Sequence, residues 1–443
     1  MGQPEHPIGE VRPGDEPAEP AGAAPPDEGG VLIPSSGVEE NGEPGSAPGS
    51  GGSDRQGLML YEEDQRVIAG ANALGFRLLA RLAVESTGGA QGAPNVALSP
   101  GSVALALAMT YNGAAADTAA AMAKVLGVQG LTLEEVNRSN AALLESLNWL
   151  DEDVSMAMAN SIWTRMDETF SQAFLERNRA HLVADLQALD FADPKAPGIM
   201  DAWVAHRTRG RIKKIAPVPI DPLAVMYLID AVHFQGKWAQ PFDQSLTEDR
   251  PFHRADGGTV SVPMMQMRLK EFPYYQGEGF QLLSLPYGVG RLTMDVLLPD
   301  AGADLGDLLA TLSAEGGSRW TQAMEPRRGN VTLPRFKVEY GALLNGALQK
   351  LGMGIAFDPE RADFGGMVED PSPDLYIGKV IHKTAIEVDE EGTQAAAGTL
   401  VEIKQRGLPR AEFEFQADHP FLYAIRDTET GAILFLGLMT DPS

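Results

Sequence analysis

Apolar positions in the first half of the chain recur at helical spacing. Across residues 60–85, Val67, Ala71, Leu74, Leu78 and Leu82 fall on one stripe, which predicts an amphipathic helix. An alanine-rich run over residues 102–126 predicts more helix, interrupted at Asn112-Gly113, a turn-forming pair. The second half changes texture. Arg291-Leu-Thr-Met-Asp-Val-Leu-Leu298, Gly329-Asn-Val-Thr-Leu-Pro-Arg-Phe336 and Ala432-Ile-Leu-Phe-Leu-Gly437 are short apolar runs between turn residues and predict strands. One further helix is expected over residues 342–350. Helices first and strands later define an α+β class, and no tandem repeat of about 20 to 50 residues is present.

The stretch from Glu387 to Gly407 suits two environments at once. Read with period two, one face collects Thr393, Ala395, Ala397, Thr399, Val401 and Ile403. The other collects Gln394, Ala396, Gly398, Leu400, Glu402 and Lys404, so both charges fall on one side. Such a segment can lie in solvent as a loop, and it can also enter a sheet as a strand that buries only small or apolar side chains on one face. It runs into Arg406-Gly407, and a lone arginine after a run of small residues reads as bait for a protease.

Composition narrows the function classes. The 443 residues carry 61 acidic against 35 basic side chains, a formal charge of −26, which argues against a nucleic-acid surface. No apolar run approaches the roughly 20 residues expected of a bilayer span, and the first thirty residues lack the apolar core of a signal peptide. With no cysteine there is neither a disulfide framework nor thiol chemistry, and the compartment stays open. Residues 1–57 are rich in Pro, Gly, Ser, Ala and Glu and read as a disordered acidic segment, leaving residues 58–443 as the folded domain. Searches for a nucleophile elbow, a zinc helix and a phosphate loop are empty, and the seven histidines are scattered. The expectation is therefore no enzyme, no metal and no cofactor. Asn137-Arg-Ser139 and Asn330-Val-Thr332 fit the glycosylation pattern, and Met264-Met-Gln-Met267 reads as sheet packing.

Several separated segments, in order, resemble the serpin family. They are Asn95-Val-Ala-Leu-Ser-Pro-Gly-Ser102, Ala108-Met-Thr-Tyr-Asn-Gly-Ala114, Ala159-Asn-Ser-Ile-Trp163 and Leu228-Ile-Asp-Ala-Val-His-Phe-Gln-Gly-Lys-Trp238. Leu333-Pro-Arg-Phe336, Ile381-His-Lys-Thr384, the hinge Glu390-Glu-Gly-Thr393 and Phe415-Gln-Ala-Asp-His-Pro-Phe-Leu-Tyr-Ala-Ile425 follow. The resemblance implies a serpin fold of three β-sheets and about nine helices with an exposed reactive-centre loop. It implies a monomeric, metastable inhibitor, prone to loop-sheet polymers, that traps a serine protease as a covalent acyl complex when the cut loop inserts into the central sheet. Expected localisation is extracellular or cell-envelope, with the cytoplasm as the alternative.

Carried over position by position, the resemblance puts the reactive bond at Arg406 and Gly407, with Lys404 and Arg410 as rivals. A guanidinium there favours trypsin-like targets. The hinge is Glu390, Gly392, Thr393, Ala395, Ala396, Ala397, Gly398 and Thr399, and from Gly392 to Thr399 it is free of the proline, charge or bulk that would stall strand entry. Trp238, Arg335 and Glu390 fall where the loop would enter the sheet, with an exposed Arg335 to Glu390 pair expected. Ser99, Ser102, Asp230 and His382 match a polar cluster lower down, where Asp230 replaces the family's usual asparagine; two readings stand, a charged His382 favoured by Asp230 that makes sheet opening pH-sensitive, and an uncharged buried hydrogen-bonded cluster. Residues 131–153 carry six acids against Arg138 alone, so no heparin-type polyanion is expected there. The rival readings are a non-inhibitory serpin acting as carrier, chaperone or substrate, and an inhibitor of papain-like cysteine proteases.

Overall fold

The computed structural model describes residues 60–87, 94–147, 150, 152–166, 169–182, 184–221, 224–303, 319–369, 375–392 and 410–443. The expected boundary at residues 57 and 58, the hinge beyond Gly392, Lys404 and the reactive bond lie outside them.

The predicted first helix is α1 (Glu62–Thr87), opened by the Asp64 carboxylate, which accepts the Tyr61 N–H at 2.8 Å. Its span Glu62–Val84 is long and apolar enough to cross a bilayer by composition, which amends the expectation that no such run exists. Leu74, Leu78 and Leu79 are fully buried, and the helix packs on α2 (Pro100–Tyr111), α3 (Ala116–Leu126), α4 (Leu133–Leu147) and the last strand, so it serves here as a core helix. The break at Asn112-Gly113 separates α2 from α3 as expected, and α2 is buried from Ser102 through Thr110. Helices α5 (Gln172–Leu182) and α6 (Ala196–Arg207) complete the first half.

Fourteen strands form two hydrogen-bonded ladders among the described residues. The central one has five, in the order β10 (Phe336–Leu343), β11 (Lys379–Val388), β4 (Met226–Gly236), β2 (Val154–Arg165) and β3 (Asp185–Leu189). The second has nine: β1 (Val96–Leu98), β5 (Glu248–His253), β6 (Thr259–Gln276), β7 (Phe280–Pro286), β8 (Leu292–Pro299), β9 (Glu325–Pro334), β12 (Phe413–Gln416), β13 (Phe421–Asp427) and β14 (Ile433–Met439). Two of the three expected sheets are joined in this ladder by the 18-residue β6, whose register shifts between Met267 and Lys270. Met264, Met265 and Met267 are buried on that strand, in keeping with their reading as packing.

Two boundaries differ from expectation. The predicted strand across residues 329–336 is two strands in different sheets: β9 ends at Pro334, which has no N–H to continue a ladder, and β10 begins at Phe336. Arg335 between them donates its N–H to Pro263 O at 2.9 Å. The predicted helix over residues 342–350 starts late, because Ala342 and Leu343 still pair with His382 and Ile381 in β10; the helical turn α7 is Asn345–Leu348.

Both glycosylation triplets do structural work. Asn137 is buried on α4 and exchanges side-chain hydrogen bonds with Asn112, which also reaches Asn178 on α5. Asn330 accepts the Leu269 N–H and donates to Glu414, tying the β6 bulge to β12.

The C-terminal signature folds back onto β8. His419 faces two acceptors, the Asp418 carboxylate at 2.8 Å and Pro299 O at 2.8 Å. The Asp418 contact, opposed by burial and aided by Pro299, raises the imidazole above its ordinary value. A raised folded value means that the stabilisation is complete below about pH 6.5, the unfolded value, and fades as pH climbs through the folded one. His419→Gln should therefore lower the thermal midpoint more at about pH 6 than at about pH 8, as read by unfolding scans at both.

Candidate functional site

Strand β4 is buried on both faces from Met226 to Val232, and Asp230 is the one charged side chain in that run. Strand β11 lies parallel to it, pairing Lys379 with Tyr227 through to Ala385 with His233. Both strands continue past this last rung. Phe234–Gly236 pair only with β2, and Ile386–Val388 only with β10, so the two strands diverge towards the start of the loop.

That fork is closed by the hinge itself. Trp238 N–H donates to Glu391 O at 3.0 Å, Phe242 N–H to Glu390 O at 2.7 Å, and the Trp238 indole N–H to Asp389 O at 2.9 Å. Gly392 has φ of 115°, and a Cβ there would stand 2.2 Å from Gly236 O, so only glycine fits. Trp238 stacks on Tyr287 with centroids 4.3 Å apart and meets Phe242 edge-on.

The structure brings Arg335 and Glu390 together, but not as an exposed pair. Glu390 is 2% exposed and takes one Arg335 nitrogen on both oxygens, at 2.6 and 2.7 Å, while Arg335 remains half exposed. Thr247, which nothing in the sequence flagged, adds a third bond at 2.7 Å. Burial works to raise the Glu390 carboxyl, yet Arg335 and Thr247 hold it below the usual carboxylate range. Neighbouring Asp389 moves the other way, raised by burial and by the charges of Glu390 and Glu387. Glu391 has one buried oxygen with no hydrogen-bond partner among the described residues. A packed anionic knot therefore sits at the mouth of the seam, neutralised chiefly by one guanidinium.

Lower on the seam, the four expected polar residues converge. Asp230 accepts from the Ser102 hydroxyl and lies 2.6 Å from His382 Nδ1, and Ser99 donates its backbone N–H to His382 Nε2 at 3.1 Å. Because Nε2 accepts, the ring's proton is on Nδ1 and is donated to Asp230. Thr384, whose hydroxyl donates to Ala97 O at 2.9 Å, and Asn160, beside Ser102 at 3.1 Å, belong to the same cluster. Both lie inside the quoted sequence segments, yet nothing in their spacing singled them out. Arg410, a rival for the reactive position, is exposed just ahead of β12.

Residues 69–442 match the Serpin family, described as serine protease inhibitor. The chain is 36% identical over 365 residues to Serpin B6 of Macaca fascicularis, covering 80% of this chain and 95% of that one. It is 33% identical over 360 residues to the human leukocyte elastase inhibitor, covering 79% and 94%. Among solved structures, the thermophilic serpin tengpin in its native state matches with a TM-score of 0.78 at 30% identity, over 86% of this chain and 95% of tengpin. Human thyroxine-binding globulin matches with a TM-score of 0.77 at 25% identity, over 86% and 100%. This chain belongs to the serpin family, a family of protease inhibitors.

Arg335→Ala strands a buried carboxylate with one hydroxyl partner and should cost about 1 to 3 kcal/mol, measurable as a lower unfolding midpoint; Thr247→Ala should cost less.

Proposed function

We propose that this protein inhibits serine proteases of trypsin-like specificity as a suicide substrate. The protease serine attacks the carbonyl carbon of Arg406, the Arg406–Gly407 bond breaks, the Gly407 amine leaves with the C-terminal part, and an acyl ester joins Arg406 to the enzyme. The freed loop then enters the seam between β4 and β11 as a new strand. From Thr393 to Arg406 it has 14 residues, about 46 Å when extended, enough to run past the 11 residues of β4 and the 10 of β11. Entry replaces seven parallel rungs by two full ladders and buries the small-residue face, which drives insertion and drags the ester-bound enzyme with it.

One observation carries the reading: the seam is already parted at the end where the hinge begins, and it is held there by a few contacts to Asp389, Glu390, Glu391 and Gly392. The loop sequence beyond adds no side chain that would block entry. Arg406 as bait rests on counting from Glu390, with Arg410 and Lys404 behind it. The extracellular expectation gains nothing from the relatives, and the cytoplasmic alternative stands beside it.

Incubation with an equimolar amount of trypsin should give a covalent band that survives denaturing electrophoresis and a released peptide beginning at Gly407. Arg406→Ala should slow inhibition by about 100-fold or more. Clean cleavage without the band would remove the inhibitory reading for this protease class. A peptide beginning at Ala411 or Gln405 would move the bait.

A further inference from the structure

The chain carries one dense run of cations on an acidic background: Arg207, Arg209, Arg211, Lys213 and Lys214 fall within eight residues from the last residue of α6 onward, and all are exposed. Between them Thr208, Ile212 and Ile215 are buried and anchor the segment. The Thr208 hydroxyl donates to Val204 O and receives the Ile212 N–H, and the Asp201 carboxylate receives the N–H groups of Ile215 and Ala216 at 2.7 and 2.9 Å. The segment is thus fixed, with its cations exposed. Arg207 pairs with Asp185; among the described residues no carboxylate lies within ion-pair distance of Arg209, Arg211, Lys213 or Lys214.

This segment crosses the seam. On one side Arg211 donates to Gln235 of β4 at 3.3 Å; on the other the Lys383 ammonium of β11 donates to Lys214 O at 2.8 Å. Beneath it opens a cleft of about 520 Å³ lined by Lys214, Ile381, Lys379 and Lys383, with Glu339 of β10 also on its wall. Glu339 is itself paired with Lys337 at 3.6 Å. The positive character of this face is felt by His233 at the fork, whose imidazole is lowered to about 4 by burial and by the charges of Arg211 and Lys337.

We propose that this cleft binds a small polyvalent oxyanion, a compound bearing several phosphate or sulfate groups, and that the bound anion holds the seam shut. Three lysines line one cleft that is large enough for such a ligand, and Arg211 and Lys213 lie on the segment that roofs it. The net charge of −26 does not oppose this, because at physiological salt the field of distant acids is screened within about 8 Å. An anion bridging Lys214 to Lys379 and Lys383 ties the segment to β11, while Arg211 ties the same segment to β4. A strand entering between β4 and β11 must separate those anchor points, so a ligand that binds the closed form slows entry in proportion to its preference for that form. The link to insertion rests on the inhibitory reading; the binding does not.

The test uses inorganic tripolyphosphate and sucrose octasulfate as probes on the full chain, with sodium chloride at matched ionic strength as control. Either probe should raise the thermal midpoint saturably by about 2 to 4 °C and slow covalent trapping of trypsin, and the probe that saturates at lower concentration identifies whether phosphate or sulfate is the favoured group. Lys214→Gln combined with Lys379→Gln should abolish both effects, the ligand-induced shift being measured against that variant's own midpoint without ligand, which loses the contact of Lys379 with the Tyr227 ring. A midpoint shift absent with both probes, or retained in the double variant, overturns the site. A shift that depends on both lysines, in a protein that traps no protease, leaves the site standing and removes only its role in insertion.

Discussion

The parallel seam between β4 and β11 is the constraint on which the rest depends. Parallel neighbours are usually joined by a crossover and buried on both faces, and here the crossover is most of the second half of the chain, from Lys237 to Gly378. Two strands so far apart in sequence are held by seven rungs, a polar cluster below and a clamp of backbone bonds above. Nothing covalent locks them, since there is no cysteine. The closed sheet is therefore kept by contacts that can be lost in sequence, from the mouth downwards, as a zip is opened.

The two ends of this zip differ in kind. At the mouth, carboxylates crowd around a single guanidinium, and backbone carbonyls of the hinge do most of the holding. Below, a chain of donors and acceptors runs from Ser102 through Asp230 and His382 to the Ser99 N–H, each proton assigned by its neighbour. The first is sensitive to what happens to the hinge, because three of its bonds end on hinge carbonyls. The second ties both strands to the buried start of α2, so the seam cannot spread without disturbing the helix beneath it.

Much of this was legible in the sequence, and the misses have physical causes. The stripe of α1, the break at Asn112-Gly113 and the glycine of the hinge are local signals, set by side-chain period and backbone freedom. The switch of sheets at Arg335 was not legible, because Leu333-Pro-Arg-Phe336 reads as one run until the partner strands are known. Glu390 was expected in an exposed pair; Thr247, which closes on its carboxylate, has no motif of its own. The Ser99 N–H that meets His382 is a backbone group and carries no side-chain signal at all. The cations after α6 were hidden by summing charge over the whole chain, although their spacing between buried Thr208, Ile212 and Ile215 was there to read.

Asn72 on α1 donates to Gly431 O and accepts the Ile433 N–H, contacts that span 359 and 361 residues. The long first helix is thus completed by a strand that the chain reaches only some 360 residues later. Until β14 exists, the face of α1 that it covers has only water against it, and a nascent chain must shelter that face while the intervening residues are made. A loss of β14 would then fall hardest on a helix far from it in sequence, leaving a long apolar face to seek other company.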